Sequence, residues 1–361
     1  MAPHRAQPQA IRTRRIRRSP ADGRGPPTAT ILTCVTNDPA HDLPESEEVA
    51  RLVGNAPRPS AVIVNPHRLD DIERLRRTIS TTLTDADWPE PLWLETTEDD
   101  PGTGQAREAV ADGAEVVFVS GGDGTVRACV EGLAGSDAAL AILPGGTGNL
   151  LAGNFAIPTD PADGVRLAIA GGRRRIDVGE VGAQVFAVMA GMGFDAKMLD
   201  SASTELKARI GAPAYVVSAM KHLFDHPMRV QVVVDDAEPL DRRARSVIVG
   251  NVGQIQAGVA LFPDAEPDDG YLDVAILAPR HLGHWVSTVA GVLTRRKRVP
   301  NLEILRGKRV RVRSTQAHDR ELDGDVIEPG HELLATIRPA CLWICVPTER
   351  PTGGSGARSA R

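Results

Sequence analysis

The stretch Val117-Phe118-Val119-Ser120-Gly121-Gly122-Asp123-Gly124-Thr125-Val126 decides how this chain is read. A short apolar run enters two glycines, an aspartate, a third glycine and a threonine, and a helix-like stretch (126–133) follows at once. That order reads as a buried strand, a tight turn free of side-chain bulk, and a helix N-terminus. Glycine in such a turn lets backbone N–H groups approach an anion closely, and the helix dipole favours negative charge there. Asp123 is the odd member. A carboxylate beside phosphates is repelled unless a cation sits between them. The segment therefore points to a nucleotide with magnesium, and to kinase-like chemistry.

On either side of this stretch, strands and helices alternate. Residues 60–66 form a short apolar run ending in Asn65-Pro66, and residues 71–83 have helical spacing with Ile72, Leu75, Ile79 and Leu83 on one face. Strand patterns recur at 92–97, 115–120 and 138–143, with a helix expected over 104–112. Units of this kind imply an α/β fold with a parallel, right-handed, doubly wound sheet. Ligands of such sheets bind at the carboxyl ends of the strands. A second glycine-rich turn, Leu143-Pro144-Gly145-Gly146-Thr147-Gly148-Asn149, again lies between a strand and a helix. Two such turns at adjacent strand ends form a double cradle for phosphates and ribose. The plainer reading of each glycine is a tight β-to-α connection. Neither G-x-x-x-x-G-K-[ST] nor a G-x-G-x-x-G after the first strand occurs, so the chain is by motif neither a P-loop kinase nor an ordinary dinucleotide enzyme.

Beyond about residue 173 the rhythm changes. Strand patterns at 177–182, 184–190, 229–235, 245–250, 272–277, 309–314 and 333–337 are separated by few helices, the clearest at 215–224 and 281–293. A mostly antiparallel β-sandwich is expected there, with the active site between the two domains. The chain thus divides into a tail (1–58), a nucleotide-binding α/β domain (59–172), a sandwich that receives the substrate (173–346, its last strand free to return to the first domain) and a second tail (347–361).

The 361 residues suffice for two cores. With 42% apolar and 25% charged residues the composition is that of a soluble globular protein, and a net charge of -5 leaves no nucleic-acid footprint. Arg5, Arg12, Arg14, Arg15, Arg17 and Arg18 precede the first acidic residue, Asp22. This proline-containing head lacks the apolar segment of a secretory signal. It reads as a disordered tail or, alternatively, as an electrostatic attachment to anionic lipid. No apolar run approaches the ~20 residues of a spanning helix, so any membrane contact is expected to be peripheral and the location cytoplasmic, at the inner membrane face. Cys34, Cys129, Cys341 and Cys345 have no metal-like spacing with histidines. Cys341, Trp343 and Cys345 alternate as one strand face, which suggests core thiols in a reducing compartment. His222 and His226 read as a surface pair at a helix end, not as a metal site. Residues 281–293 are apolar on one face (Leu282, Trp285, Val286, Val289, Leu293) and lead into Arg295-Arg296-Lys297-Arg298. Such a segment either packs on the sandwich or lies in a headgroup region. Oligomeric state is not specified, and a homodimer is open.

Several motifs follow one another in a telling order. They are Gly121-Gly-Asp-Gly-Thr125, Pro144-Gly-Gly-Thr-Gly-Asn149, Arg175-Ile-Asp-Val-Gly179, Gly193-Phe-Asp-Ala196, Leu206-Lys-Ala-Arg-Ile-Gly211, Asp268-Asp-Gly-Tyr-Leu-Asp273 and Leu322-Asp-Gly-Asp325. Over residues 60–346 the chain resembles the diacylglycerol kinase-type lipid kinases, which include bacterial lipid kinases and the sphingosine and ceramide kinases. The resemblance implies transfer of the ATP γ-phosphoryl group to a lipid hydroxyl, with diacylglycerol the default acceptor. Kinases of a sphingoid base, another glycolipid or, remotely, NAD are alternatives, as is a nucleotide-binding regulator without turnover. It also implies that Asn65, Pro66, Thr97, Gly121, Gly122, Asp123, Gly124, Thr125, Gly146, Thr147 and Asn149 contact ATP, and that Asp123 and Asp177 organise the catalytic magnesium. Phosphoryl transfer needs charge neutralisation and in-line positioning above all. The last acidic turn supplies the general base. Family members have Asp-Gly-Glu there, whereas this chain has Asp323-Gly324-Asp325; both aspartates are candidates, with Asp325 preferred. A structural magnesium is implied at Asp269, with Glu266 and Tyr271 giving backbone oxygens; the plainer reading is an Asp-Gly β-turn. Two places depart from the family. The first loop reads Asn65-Pro-His-Arg-Leu-Asp70 where small residues and a lysine are usual, with Arg68 as a substitute cation, and Leu150 stands where an aspartate is common.

Overall fold

The computed structural model describes residues 50–52, 56–68, 71–145, 149–193, 227–255, 259–279, 282–294 and 299–348. In chain order the first half comprises β1 (Ala50–Leu52), β2 (Ser60–Val64), α1 (Ile72–Thr84), β3 (Leu92–Glu95), α2 (Thr103–Ala111), β4 (Val116–Gly121), α3 (Asp123–Leu133), β5 (Ala139–Pro144), α4 (Leu150–Asn154) and α5 (Pro161–Ile169). The second half comprises β6 (Gly172–Val181), β7 (Gln184–Phe186), β8 (Met189–Met192), β9 (Met228–Val234), β10 (Leu240–Ala244), β11 (Ser246–Gly250), β12 (Gln254–Ile255), β13 (Val259–Ala260) and β14 (Leu272–Leu277). It ends with α6 (Leu282–Leu293), β15 (Leu302–Gly307), β16 (Arg309–Leu322) and β17 (Asp325–Cys345).

Local chemistry accounts for the first-half helices. Asp71 caps α1 by accepting the Arg74 N–H at 2.8 Å, and Leu75, Ile79 and Leu83 recur along its buried face. Asp160 caps α5 in the same way, with Pro161 in the first turn where its missing N–H costs nothing. Strands β3, β2, β4 and β5 lie side by side and parallel. Alternate residues of β2, β4 and β5 enter two cores. Val62, Val64, Val116, Phe118 and Leu143 pack against α1 and α5, while Ala61, Ile63, Val117, Val119 and Ile142 pack against α2 and α3. The sheet is therefore covered on both faces, as a doubly wound fold requires. Its strand order reverses between β2 and β4, so their carboxyl ends, Asn65 and Gly121-Gly122, flank the crevice where ligands of such sheets bind.

The second half is mostly antiparallel, with order β15-β14-β11-β8-β16-β17 and the β9-β10 hairpin on β16. Its own core gathers Phe186, Met192, Val247, Val274, Val312 and Leu333 among others. The architecture expected from the sequence, a doubly wound α/β domain followed by an antiparallel sandwich, is the one observed. Several elements run further than their patterns suggested. β16 and β17 extend over 309–322 and 325–345 in place of 309–314 and 333–337. The added portions 315–322 and 325–332 pair with each other as a ribbon with many solvent-exposed positions, so no alternating apolar signal marks them, while 338–345 pairs with β6 and β5. β10, β15 and α5 were not anticipated at all.

The predicted single face of Cys341, Trp343 and Cys345 is not observed. Between Arg338 and Leu342 the register of β17 on β6 slips, and Ala340 adopts a φ of 46°. Cys341 consequently joins Leu342 and Ile344 in the core under α3, while Cys345 and Trp343 face the α1/α5 layer. Cys129, Cys341 and Cys345 are buried free thiols. No helix among the described residues is long and apolar enough to cross a membrane. The arginine-rich head with Cys34, the expected helix at 215–224, His222 and His226, the apolar side chains of α6 singled out above and residues 295–298 lie outside the described residues.

Candidate active site

The 121–125 turn is built as a strand-to-helix joint. β4 ends at Gly121, Gly122 caps α3 in extended backbone, and Asp123 begins the helix. A side chain at Gly121 would begin 2.7 Å from the Thr125 side chain, so glycine is needed there for packing. A side chain at Gly122 would meet nothing within 4 Å. Space is thus left beside Gly122, at a helix end whose N–H groups favour an anion.

Asn65 ties this joint to β2. Its side-chain amide donates to the Thr125 hydroxyl at 3.2 Å, its backbone N–H donates to the Ser120 carbonyl at 3.1 Å, and its side-chain carbonyl oxygen accepts from the His67 N–H at 3.0 Å. Pro66 starts the single 3₁₀ turn that follows, Pro66–Arg68; the Arg68 side chain lies outside the described residues. The second glycine-rich turn begins beside the first, where the Gly145 N–H donates to the Gly121 carbonyl. Gly146 and Thr147 lie outside the described residues, and Asn149 caps α4 in left-handed backbone at φ 42°. Thr97 sits just past β3, and its hydroxyl is engaged locally by the Asp100 N–H.

Asp123 accepts the Leu150 N–H at 2.6 Å. Burial raises its pKa, against the amide bonds of Leu150 and Asn149, and the Asp325 charge adds to the rise. Leu150 itself is buried in the core under α3, so what this position presents to the site is its amide.

The two aspartates of the last turn have separate roles. Asp323 and Gly324, with φ of 50° and 92°, form a two-residue loop closed by the Leu322–Asp325 pair. Positive φ at both positions is the requirement of a type I′ hairpin, for which Asp-Gly is a preferred pair. The Asp323 carboxylate is buried and accepts three successive backbone N–H groups, from Ala187, Val188 and Met189, each at 2.8 Å. Burial nonetheless pushes it up to about 6. Asp325 points the other way, into the first half of the molecule. A side chain at Gly124 would begin 3.0 Å from its Oδ2 and 3.2 Å from its Oδ1. Nε and Nη2 of Arg127 both lie 3.1 Å from Oδ2. The hairpin of the sandwich therefore delivers one partly exposed carboxylate to the N-terminus of α3.

Asp177 is held differently from its expected place among the magnesium organisers. Its Oδ2 accepts the Gly270 N–H at 2.6 Å and its Oδ1 the Ala340 N–H at 2.7 Å. It lies on β6 opposite the β17 register slip and satisfies an N–H which that slip removes from the ladder. The same geometry pins the 267–270 turn, whose Pro267 carbonyl accepts the Asp177 N–H.

The expected structural-metal turn has cations of its own. Asp269 Oδ2 pairs with the Arg306 guanidinium, and Oδ1 accepts the Tyr271 N–H at 3.0 Å. Arg174 holds Asp268 with two bonds of 2.6 and 2.7 Å and reaches Glu266 at 3.2 Å. As arranged, Asp269, Glu266 and Tyr271 do not fit a metal ion, because a guanidinium already neutralises the one side-chain ligand. Among the described residues no group of three or more His, Cys, Asp or Glu side chains is placed to hold one. A nucleotide-borne magnesium would have the Asp123 carboxylate as a hard-oxygen donor at the N-terminus of α3. Arg127, Arg174 and Arg306 were missed in the sequence. Only Arg127 had a readable signal, at i+4 from Asp123 on one helix face.

The chain is similar to known proteins over most of its length. The family described as the diacylglycerol kinase catalytic domain matches residues 59–181, and the YegS C-terminal NAD kinase beta sandwich-like domain matches residues 188–346. A protein of Pseudomonas fluorescens named "Probable lipid kinase YegS-like" is 33% identical over 256 residues, spanning 70% of this chain and 84% of that protein. Its Pseudomonas aeruginosa namesake is 33% identical over 266 residues, 71% and 84% of the two chains. A crystal structure of a diacylglycerol kinase from Bacillus anthracis superposes with a TM-score of 0.67 at 22% identity, covering 81% of this chain and 97% of that one.

Proposed function

Because the chain belongs to the YegS-like lipid kinase family, we propose that it phosphorylates diacylglycerol to phosphatidic acid with ATP, at the open end of α3. The observation that supports this most directly is the approach of Asp325 to Gly124, which sets a carboxylate at the helix N-terminus where phosphates bind.

In this reading the backbone N–H groups after Gly122 receive phosphate oxygens, and Asn65 keeps that helix start fixed through Thr125. Bound with ATP beside Asp123, magnesium supplies neutralisation of phosphate charge. Asp325 takes the proton of the lipid hydroxyl as its oxygen bonds to the γ-phosphorus, the bond from γ-phosphorus to the bridging oxygen breaks, and ADP leaves. Asp323 is too occupied with three amides to act as the base. A lipid acceptor requires contact with a bilayer surface, which this chain makes peripherally.

The test is incubation of the protein with labelled ATP, magnesium and micelles of diacylglycerol, sphingosine, ceramide or crude lipid, with the product identified by mass spectrometry. Labelled phosphatidic acid is expected. Another labelled lipid moves the substrate assignment, labelled NAD overturns the lipid reading, and ATP binding without any labelled acceptor points to a regulator. Asp325→Asn is expected to lower kcat by about 10²–10⁴-fold with ATP affinity little changed.

A further inference from the structure

Arg127 occupies an unusual position for an arginine. It lies in the second turn of α3, on the side of Asp123, near the helix end where the dipole disfavours positive charge. Only 14% of its side chain is exposed. Desolvating a guanidinium there is unfavourable unless an anion compensates it. That anion is Asp325, 198 residues away in sequence and on the other half of the molecule.

The geometry of the pair is informative. Both Nε and Nη2 address the same oxygen, Oδ2, at 3.1 Å. Oδ1 receives no hydrogen bond from a described residue, and 43% of the Asp325 side chain is exposed. The Nε–H hydrogen bond and the adjacent Nη2 tether this one oxygen to α3. The other oxygen thereby keeps its lone pairs unspent.

We propose that Arg127 is a positioning residue for the phosphoryl-transfer base: it clamps Asp325 through Oδ2 and presents Oδ1 to the acceptor hydroxyl. This rests on the reading of Asp325 as the base. It assigns Arg127 to the acceptor's proton and not to the nucleotide, although Arg127 and Asp123 share a helix.

The experiment compares Arg127→Ala, Arg127→Lys, Asp325→Asn and the Arg127→Ala/Asp325→Asn pair in the lipid kinase assay, with folding checked by circular dichroism and melting. Arg127→Ala is expected to lower kcat by about 10²-fold, the cost typical of a misplaced catalytic group, with KM for ATP within about twofold. The double variant should be no slower than Asp325→Asn, because residues acting as one unit are not additive. Guanidinium ion in the assay should restore part of the Arg127→Ala rate and none of the double variant's. Arg127→Lys, a cation without the fork, should fall between wild type and Arg127→Ala. An Arg127→Ala enzyme with unchanged kcat, or one impaired only in KM for ATP, overturns the assignment while wild-type turnover keeps the kinase reading. Should Arg127→Ala fail to fold, Arg127→Lys decides, and wild-type kcat there overturns it too. A wild type that phosphorylates no lipid overturns the kinase reading and this assignment together.

Discussion

At the scale of single residues, Glu321 is the clearest conflict in the molecule. It is fully buried on β16, and neither carboxylate oxygen has a hydrogen-bond partner among the described residues. Burial pushes its pKa up to about 8, with the charges of Asp323 and Asp325 adding to the rise. Its neighbour across the sheet is Gly191, where any side chain would begin 2.7 Å from Oε1. A folded pKa above the unfolded one means that the folded state holds the proton more tightly. The stability so gained is fully present below the ordinary glutamate range and is lost as pH rises toward 8. Glu321→Gln removes this linkage. Its melting temperature should gain on that of the wild type between pH 5 and pH 8, at about 1.4 kcal/mol for each tenfold by which folding tightens proton binding. Parallel pH–melting curves would show that Glu321 is not held protonated. The sequence offered little warning here. The Leu322-Asp-Gly-Asp325 motif was legible as an acidic turn, but a glutamate two residues upstream of Asp323 looks like any strand-surface charge until its strand is seen to be central. The division of labour between Asp323 and Asp325 was equally hidden, since only the type I′ turn sends one carboxylate inward and the other toward Gly124.

At the scale of elements, the turn that joins residue 266 to β14 illustrates how far motif reading goes. The acidic, glycine-containing run was readable as a turn with concentrated negative charge, and magnesium was the expected partner. The structure gives that charge to Arg174 on β6 and Arg306 on β15, with Asp177 holding the Gly270 N–H. Both arginines are remote in sequence and sit in strands whose pairing no local pattern reveals. An internally neutralised turn should not depend on a divalent cation. The melting temperature is therefore expected to be the same, within about 1 °C, in excess chelator and in millimolar magnesium, as no ligand is lost from the folded state. Arg174→Ala should cost about 1–3 kcal/mol in both buffers, because it leaves the mostly buried Asp268 carboxylate without its cation. A drop of several degrees in chelator, reversed by magnesium alone, would place a metal at this turn after all. The helices α1, α2 and α3 and strands β2 to β5 were far more legible. Their apolar periodicity is imposed by one two-faced sheet, so local sequence and global fold agree there.

At the scale of the whole molecule, β17 makes the two halves one structure. Its first part pairs with β16, its middle and end with β6, and Trp343 and Ile344 pair in parallel with β5 of the nucleotide-binding sheet. The core under α2 and α3 likewise runs on without interruption into Val188, Met189, Ile248, Phe262 and Ala275 of the sandwich. A 21-residue strand of this kind was not legible. Its sequence changes character along its length as it passes from a solvated ribbon to a buried sheet centre. The shared strand bears on function, because Arg127 and Asp325 meet only if the hairpin at the start of β17 is held in fixed relation to α3. It also has a thermodynamic consequence. Two domains joined by a linker would unfold separately, whereas halves that share a strand and a core should unfold together. Calorimetry of the wild type is expected to give one transition with matching calorimetric and van't Hoff enthalpies. Ile344→Ala, which empties a fully buried site where β17 meets β5, should cost about 2–5 kcal/mol. It should lower that single transition by roughly 2–4 °C per kcal/mol, with far-ultraviolet and tryptophan signals moving together. If the variant instead resolves into two transitions, and only the tryptophan signal from Trp88 and Trp93 follows the lower one, the halves are energetically separable and the placement of Asp325 depends on docking more than on a shared strand.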